Sequence, residues 1–381
     1  VGSAGWAVLS AYADGINAYA ASHPHRITEP RLFPVTPDDV ATHFAVFMAL
    51  LSGIGDQMGT LIQGPSGSNA FAVSPNATGD GSTVVLINPH NPVNPSPITW
   101  YEAGVQSREG WVAHGGLFPG TATLALGVTP TTAWGHTLNF PRRTDVYRLE
   151  VDGDRYLYDG AWREFLKKRV WLKLGLLGGR FVVPIPRTLR WSIHGPVVTG
   201  KDGLAYALRA PALRDAGAPG QWLAMNKARD FATFRRAVSG NHAAGFDIVY
   251  GDQAGRIWWI ANGAIPSRRG NRPSPLPGTR SDAVTSELRP TSSLPQRLDP
   301  PDGFLWSVNN APRLLTAVSD PDFPDNTGVN RPARIAELRR RVGALDYAAL
   351  LRLRDDVCLP KGFTFRNGLH HLVRLERVPD D

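Results

Sequence analysis

The sequence predicts a layered α+β protein. Two observations carry that expectation: helical spacing near both ends of the chain, and a long central series of short apolar runs bounded by Gly, Pro and Asn. Strands of that kind pack on strands, and helices before and after them cover the stack. The 381 residues suit two or three units of ~150 residues, or one large layered domain. Such a chain can bury a large core without staples.

Residues 3–21 place Trp6, Leu9, Tyr12, Ile16 and Tyr19 at helical spacing, and His23-Pro24 ends that helix. A second helix opens at Thr36-Pro37-Asp38-Asp39. Thr36 can cap it, Pro37 suits the first helical position, and Asp39 can complete a capping box. Its apolar face runs through Val40, Phe44, Phe47, Met48 and Leu51 to about residue 61, and Gly64-Pro65-Ser66-Gly67-Ser68-Asn69 breaks the pattern.

From there the character is β. Ala70–Val73 and Thr83–Ile87 read as buried strands, followed by runs at Ile98–Gln106, Thr123–Val128, Thr132–Leu138 and Asp145–Val151. Asp152-Gly153-Asp154 is a hairpin turn signal. Residues 161–177 read as mixed and basic. Strands resume at Val182–Ile185, Thr188–Ile193, Leu204–Leu208, Phe246–Tyr250 and Ile257–Ala261, with the turn Asp252-Gln253-Ala254-Gly255 between the last two. Pro266–Pro301 reads as a long surface loop. Two helices close the chain, from Arg331-Pro332 to about Val342 and from Asp346 to about Val357.

Lys and Arg total 41 against 33 Asp and Glu, a net charge of +8, and only six of the 41 are Lys. The longest basic run, Arg339-Arg340-Arg341, suits a solvated helix face, and no nucleic-acid-binding motif accompanies it. Nucleic acid is not an expected partner. No apolar run nears the ~18 residues needed to span a bilayer, so membrane insertion is not expected. Cys358 is alone, which excludes an intramolecular disulfide and a thiolate metal cluster; it is expected to be buried and inert. No signal peptide opens the chain, which begins in an apparent helix at Gly2 as though an upstream segment had been lost.

Gly67-Ser68-Asn69 is the most informative junction. A serine after Gly, between a helix and a buried strand, is either a turn residue or an N-terminal nucleophile unmasked by cutting the Gly67–Ser68 bond. A serine hydroxyl needs a base, and a free α-amine of pKa ~7.7–8.0 can serve on the same residue. The elbow pattern G-x-S-x-G fails, because Gly64-Pro65-Ser66-Gly67-Ser68 ends in Ser and no strand leads into it.

Gly67-Ser68-Asn69-Ala70-Phe71-Ala72-Val73 followed by Ile87-Asn88-Pro89-His90 resembles the penicillin acylase family of N-terminal nucleophile hydrolases. That family's β-chain opens with Ser-Asn, a strand pair and an Asn/Asp-Pro-His segment. Further blocks arrive in the family's order: Phe118-Pro119-Gly120, Ala133 to Leu138, Asp145-Val146-Tyr147, His194-Gly195-Pro196-Val197, Ile248 to Asp252 with Gly255 and Ile257, Val308-Asn309-Asn310-Ala311-Pro312, and Arg331. Upstream, Ala13-Asp14-Gly15-Ile16-Asn17 resembles the end of the α-chain. The resemblance implies the N-terminal nucleophile hydrolase fold, an αββα four-layer sandwich. Residues 1–67 would be the C-terminal part of the α-chain plus linker, residues 68–381 the β-chain, and the two would form a heterodimer after self-cleavage.

By the same resemblance Ser68 is the nucleophile and its freed amine the base. His90 matches the position that bonds the serine amine in the lactone- and lipopeptide-acylase branch. The backbone N–H of Leu138 and the side-chain amide of Asn309 are the oxyanion donors, and Arg331 positions Asn309 and the amine. From the residues alone, His90 can equally cap the Asn88-Pro89 turn, and Arg331 is an Arg at a helix start, the less favourable end for a cation. The implied reaction is acyl transfer from an N-acyl amide to Ser68, followed by hydrolysis; attack on the Gly67 carbonyl would cut the precursor.

The family's α-chain is longer than residues 1–67 and its β-chain runs past residue 381, so the chain reads as a fragment or an unusually small member. No cofactor is required. Asp145 and Asp320 fall near family calcium-ligand positions, but Arg142 stands where another carboxylate is expected, so a structural calcium site and a plain hydrogen-bonding role for Asp145 both stay open. Asn91 and Leu126 replace phenylalanines of penicillin G acylases and, with Trp134, are assigned to the acyl pocket. They favour acyl-homoserine lactones or lipopeptides over penicillins and cephalosporins as the small-molecule N-acyl substrate. A non-catalytic binding or scaffold member is the rival class. Family export implies a periplasmic or secreted location.

Overall fold

A computed structural model describes residues 4–51, 67–94, 96, 98–176, 181–211, 215–242, 245–268, 274–324 and 330–361. Helix α1 (Ala4–Ser22) precedes α2 (Pro37–Leu51). The start of α2 follows from its sequence. The Thr36 N–H donates to Asp39 Oδ2 at 2.9 Å and the Asp39 N–H donates to Thr36 Oγ1 at 3.2 Å, which is the reciprocal capping box. The extension of this helix to about residue 61, and the break at Gly64-Pro65-Ser66, lie outside the described residues.

Two antiparallel sheets form the centre. The smaller places β1 (Ser68–Val73) between β2 (Val84–Pro89) and β19 (Phe304–Ser307). The larger has seven strands: β3 (Tyr101–Gln106), β4 (Val112–Leu117), β5 (Leu126–Val128), β6 (Thr132–Leu138), β15 (Phe246–Asp252), β16 (Ile257–Asn262) and β18 (Gln296–Leu298), in that spatial order.

The period of two along β1 sorts its side chains into two cores. Ala70 and Ala72 join the large core with Val249 of the seven-stranded sheet, while Phe71 and Val73 pack with Ile335, Leu350 and Leu353. Those last residues belong to α5 (Asn330–Arg341) and α6 (Tyr347–Asp355). On the other side of the large sheet, Phe44 of α2, Trp222 of α3 (Ala218–Asn226) and Phe234 of α4 (Phe231–Val238) complete the core. The order is helix, sheet, sheet, helix, the αββα sandwich. A Cβ at Gly135 on β6 would lie 2.4 Å from Ile87 Cγ1, so glycine there lets the two sheets approach.

A peripheral region carries β7 (Asp145–Arg148), β13 (Val197–Thr199), β14 (Ala205–Arg209) and β17 (Leu276–Pro277) in one sheet. Beside it are a small sheet of β8 (Val151–Asp152), β9 (Arg155–Tyr158) and β10 (Ala161–Glu164), and a hairpin of β11 (Leu166–Leu176) with β12 (Phe181–Trp191). Residues 161–177, expected to be mixed, are therefore largely strand, and the two runs after residue 181 are one strand. Pro184 and Pro186 disguised that continuity. The segment Pro266–Pro301 contains β17 and β18 and buries Ala283 and Leu294, so it is more than a surface loop. Cys358 is exposed, against expectation; it lies past the end of α6, where its N–H donates to Asp356 Oδ1 at 3.1 Å. Among the described residues no helix is long and apolar enough to cross a membrane.

Candidate active site

Ser68 is the first residue of β1, opposite Pro89 on β2, and it is 5% exposed. Its N–H donates to Asn309 Oδ1 at 2.7 Å, and its Oγ donates to the Gly67 carbonyl oxygen at 2.5 Å. The His90 backbone N–H donates to the same Gly67 oxygen at 3.0 Å. A Cβ at residue 67 would lie 3.0 Å from His90 Nδ1 and 3.3 Å from Arg331 Nη2. Glycine before Ser68 thus answers to crowding by two side chains.

Asn309 follows β19 and has a left-handed backbone, φ 62°. Asparagine tolerates that conformation better than most residues. Its Nδ2 donates to Leu138 O at 2.7 Å, while its Oδ1 accepts from both Ser68 N and Arg331 Nη2, the latter at 2.8 Å. Turning the amide over would face its NH2 with two donors, so this network fixes its orientation. The amide nitrogen carries two hydrogens, and Leu138 O takes one.

Arg331 sits in the first turn of α5, where the helix dipole opposes a cation. Three oxygens offset that cost: Asn309 Oδ1, Ser68 O at 3.1 Å and Asn69 Oδ1 at 2.9 Å. Burial pulls the guanidinium pKa below its ordinary value. Asn69 is a site residue that the sequence reading quoted in the Gly67-Ser68-Asn69 junction but gave no role. Its adjacency to Ser68 was the available signal.

The His90 ring is 3.0 Å from Asn88 Oδ1 and 3.4 Å from Asn69 Nδ2 through Nε2. Its pKa is lowered by burial first and then by the Arg331 charge. Gly67, Ser68, His90, Leu138, Asn309 and Arg331 thus converge. For Leu138 the contact seen is through its carbonyl, not through the N–H expected as an oxyanion donor.

The acyl-pocket residues divide. The Asn91 Nδ2 donates to Ile98 O at 2.6 Å, and half-buried Leu126 lies over Gly116 beside Trp100. Trp134 is fully buried, its Nε1 donating to Ala125 O at 2.9 Å and its ring against Phe234. Its place on β6 turns it toward the helices, so it is a core residue rather than a lining one. A cavity of about 350 Å³ borders Asn69 and Arg331 and runs between α5 and α6 past Ile335, Leu338, Leu353 and Cys358.

Asp145 and Asp320 lie apart from this site. Arg268 Nε donates to Asp145 Oδ1 at 2.9 Å and Arg268 Nη1 to Asp322 Oδ1 at 2.7 Å; Arg289 Nη1 reaches Asp320 Oδ2 at 2.9 Å and Asp322 Oδ2 at 3.2 Å. Two guanidiniums thus pair with all three carboxylates, one positive charge fewer than the negative ones. Arg268 and Arg289 occupy carboxylate oxygens that a calcium ion would need, and among the described residues no group of three or more His, Cys, Asp or Glu is placed to hold a metal.

A buried chain backs the site. Thr137 Oγ1 and Ser307 Oγ are 2.7 Å apart, and Ser307 Oγ donates to Asp247 Oδ2 at 2.6 Å. Burial pushes the Asp247 carboxyl up to about 7. No pattern in the sequence marked this group.

The family model described as penicillin amidase matches residues 2–374. The chain belongs to the penicillin amidase family. Among its relatives in that family is an acyl-homoserine lactone acylase PvdQ of Pseudomonas fluorescens, 26% identical over 68% of this chain and 38% of the relative. The aculeacin-A acylase of Actinoplanes utahensis is 27% identical over 96% of this chain and 49% of the relative. A penicillin G acylase from Alcaligenes faecalis superposes with a TM-score of 0.63 at 20% identity, over 75% of this chain and 51% of that one, which establishes the fold. The chain therefore spans half or less of the length of these curated penicillin amidase relatives.

Proposed function

We propose that the chain carries the catalytic centre of an N-acyl amide hydrolase that processes itself at Gly67–Ser68. The observation that carries this reading is the position of Ser68: its Oγ touches the Gly67 carbonyl oxygen at 2.5 Å while its N is held by Asn309 Oδ1 at 2.7 Å. Attack of Oγ on the Gly67 carbonyl carbon, with transfer of the acyl group from N to O and hydrolysis of the ester, frees the Ser68 amine. That amine stays on Asn309 Oδ1 and beside the Arg331 guanidinium, whose charge disfavours protonation and so favours the base form. In turnover Oγ attacks a substrate amide, the amine takes its proton and passes it to the leaving nitrogen, and water deacylates Ser68. The second Asn309 Nδ2 hydrogen and a backbone N–H near Leu138 supply charge stabilisation where the oxyanion forms.

The substrate class proposed is a fatty-acyl amide, an acyl-homoserine lactone or a lipopeptide. The names of the relatives and the absence of phenylalanine at 91 and 126 support it. Intact mass and N-terminal sequencing give the first test, with a new N-terminus at Ser68 in the parent and one uncut chain in Ser68→Ala. A parent chain that stays whole on long incubation removes the free-amine base and leaves a binding or scaffold role. A panel of acyl p-nitroanilides then separates long-chain from phenylacetyl preference.

A further inference from the structure

The β11/β12 hairpin is a two-stranded sheet of its own, eleven residues to each arm. At about 3.3 Å per residue it runs roughly 30 Å from its base. Residues 166–191 hold seven Lys or Arg and no Asp or Glu, against a net charge of +8 for the whole chain. Three of the six lysines of the protein are here: Lys167, Lys168 and Lys173.

The register makes this ribbon amphipathic. Directly opposed residues of an antiparallel pair share a face, and the pairs Leu172↔Ile185 and Leu174↔Val183 put four aliphatic residues side by side. Leu172, Leu174 and Val183 are 52%, 48% and 42% exposed, which is unusual for neighbours on one sheet face. Nearer the base, Val170↔Arg187 and Lys168↔Leu189 place two cations on that same face. Exposed Trp171 and Arg169, its guanidinium over the indole, lie on the other face. Lys167 is tied to Asp154 at the base. Pro184 and Pro186 remove two N–H donors from one arm, so addition of a further strand along that edge is blocked. What the hairpin offers is a face, not an edge.

We infer that this hairpin docks the protein on a lipid surface bearing anionic headgroups. The aliphatic distal half enters the interfacial region, the Lys168 and Arg187 band meets the headgroups, and Trp171 sits at the boundary. A basic surface alone would suit any polyanion. The continuous apolar face beyond the basic band favours a bilayer, as it does for interfacial amphipathic segments generally.

The test uses the full chain with sucrose-loaded vesicles of phosphatidylcholine, or of phosphatidylcholine and phosphatidylglycerol at about three to one. Co-sedimentation is expected with the anionic vesicles only, and it should fall steeply in 0.5 M salt, as headgroup attraction does within a shortening Debye length. Leu172→Ser with Leu174→Ser, and separately Lys168→Glu with Arg187→Glu, should each cut the bound fraction at least tenfold with the thermal transition unmoved. Absence of sedimentation with either vesicle overturns the inference. So do both variants binding like the parent, and so does retention on heparin without vesicle binding, which would make the partner a soluble polyanion.

Discussion

Arg331 Nη2 donates to Asn309 Oδ1 at 2.8 Å, on the very oxygen that accepts the Ser68 N–H. One amide oxygen therefore joins the proposed nucleophile, the amide proposed as its oxyanion donor and a cation from a helix 22 residues farther along the chain.

On the proposed reading Arg331 is a positioning residue, and its loss should show in two ways. Arg331→Lys keeps a charge but cannot reach three oxygens with a planar fork. A hydrogen bond to a charged group contributes ~1.5–3 kcal/mol, so kcat/KM should fall about 10–100-fold in the processed enzyme. In Arg331→Met the cation beside the Ser68 amine is gone, the amine pKa rises, and the acid limb of the kcat/KM profile moves to higher pH. An unmoved limb would show that Arg331 acts through packing alone.

Asn309 should matter mostly to kcat. Its φ of 62° makes Asn309→Gly the unstrained replacement, since glycine accepts a left-handed backbone. Removal of one oxyanion donor costs roughly 10²–10³ in rate. Steady-state kinetics on an acyl p-nitroanilide should show that loss in kcat with KM little changed. A loss confined to KM would place the amide at substrate binding instead.

The Arg268 cluster should make stability independent of calcium. Chelator and millimolar calcium are expected to leave the melting temperature where it is. Arg268→Met strands Asp145, which is 5% exposed, and breaking a buried pair from one side costs about 3–5 kcal/mol. Chemical denaturation of the variant reads that cost directly. A parent protein that gains several degrees with calcium would mean that the carboxylates hold the metal after all.

The physics of legibility is uneven along this chain. The start of α2 was readable because Thr36, Pro37 and Asp39 act on neighbours three residues away. The start of α6 was readable at Asp346 for the same reason, its Oδ1 accepting from the Ala349 N–H at 2.7 Å. Strand β4 was not, since Gly115 and Gly116 erase its apolar alternation; a Cβ at 115 would come 2.0 Å from Leu126 O, so packing demanded what propensity disfavours. Helix α4 was missed although Asp230 and Thr233 form a capping box. In the site, Ser68 stood out locally, but Asn309 lies 241 residues away and entered only through family likeness. Asp247 left no trace, because nothing local distinguishes a buried carboxyl from a strand-end one.

Asp247 and His136 should give the protein a concealed pH dependence. Burial raises the Asp247 carboxyl to about 7 and lowers the His136 imidazole to about 3. Unfolded, they titrate near 3.8 and 6.5. The raised Asp247 contributes stability that is full below about pH 4 and is lost as pH rises to about 7. The lowered His136 contributes stability that is full above about pH 6.5 and is lost as pH falls toward 3. Between about pH 4 and 6.5 the folded state holds one proton on Asp247 and the unfolded state one on His136. The proton counts match, and the two slopes cancel. Each slope alone is about 1.4 kcal/mol per pH unit. Asp247→Asn should therefore become more stable as pH rises from 4 to 6.5, and His136→Leu less stable over the same window. Urea denaturation at four pH values reads both slopes. Parallel, flat profiles in the two variants would mean that neither group carries its burial shift.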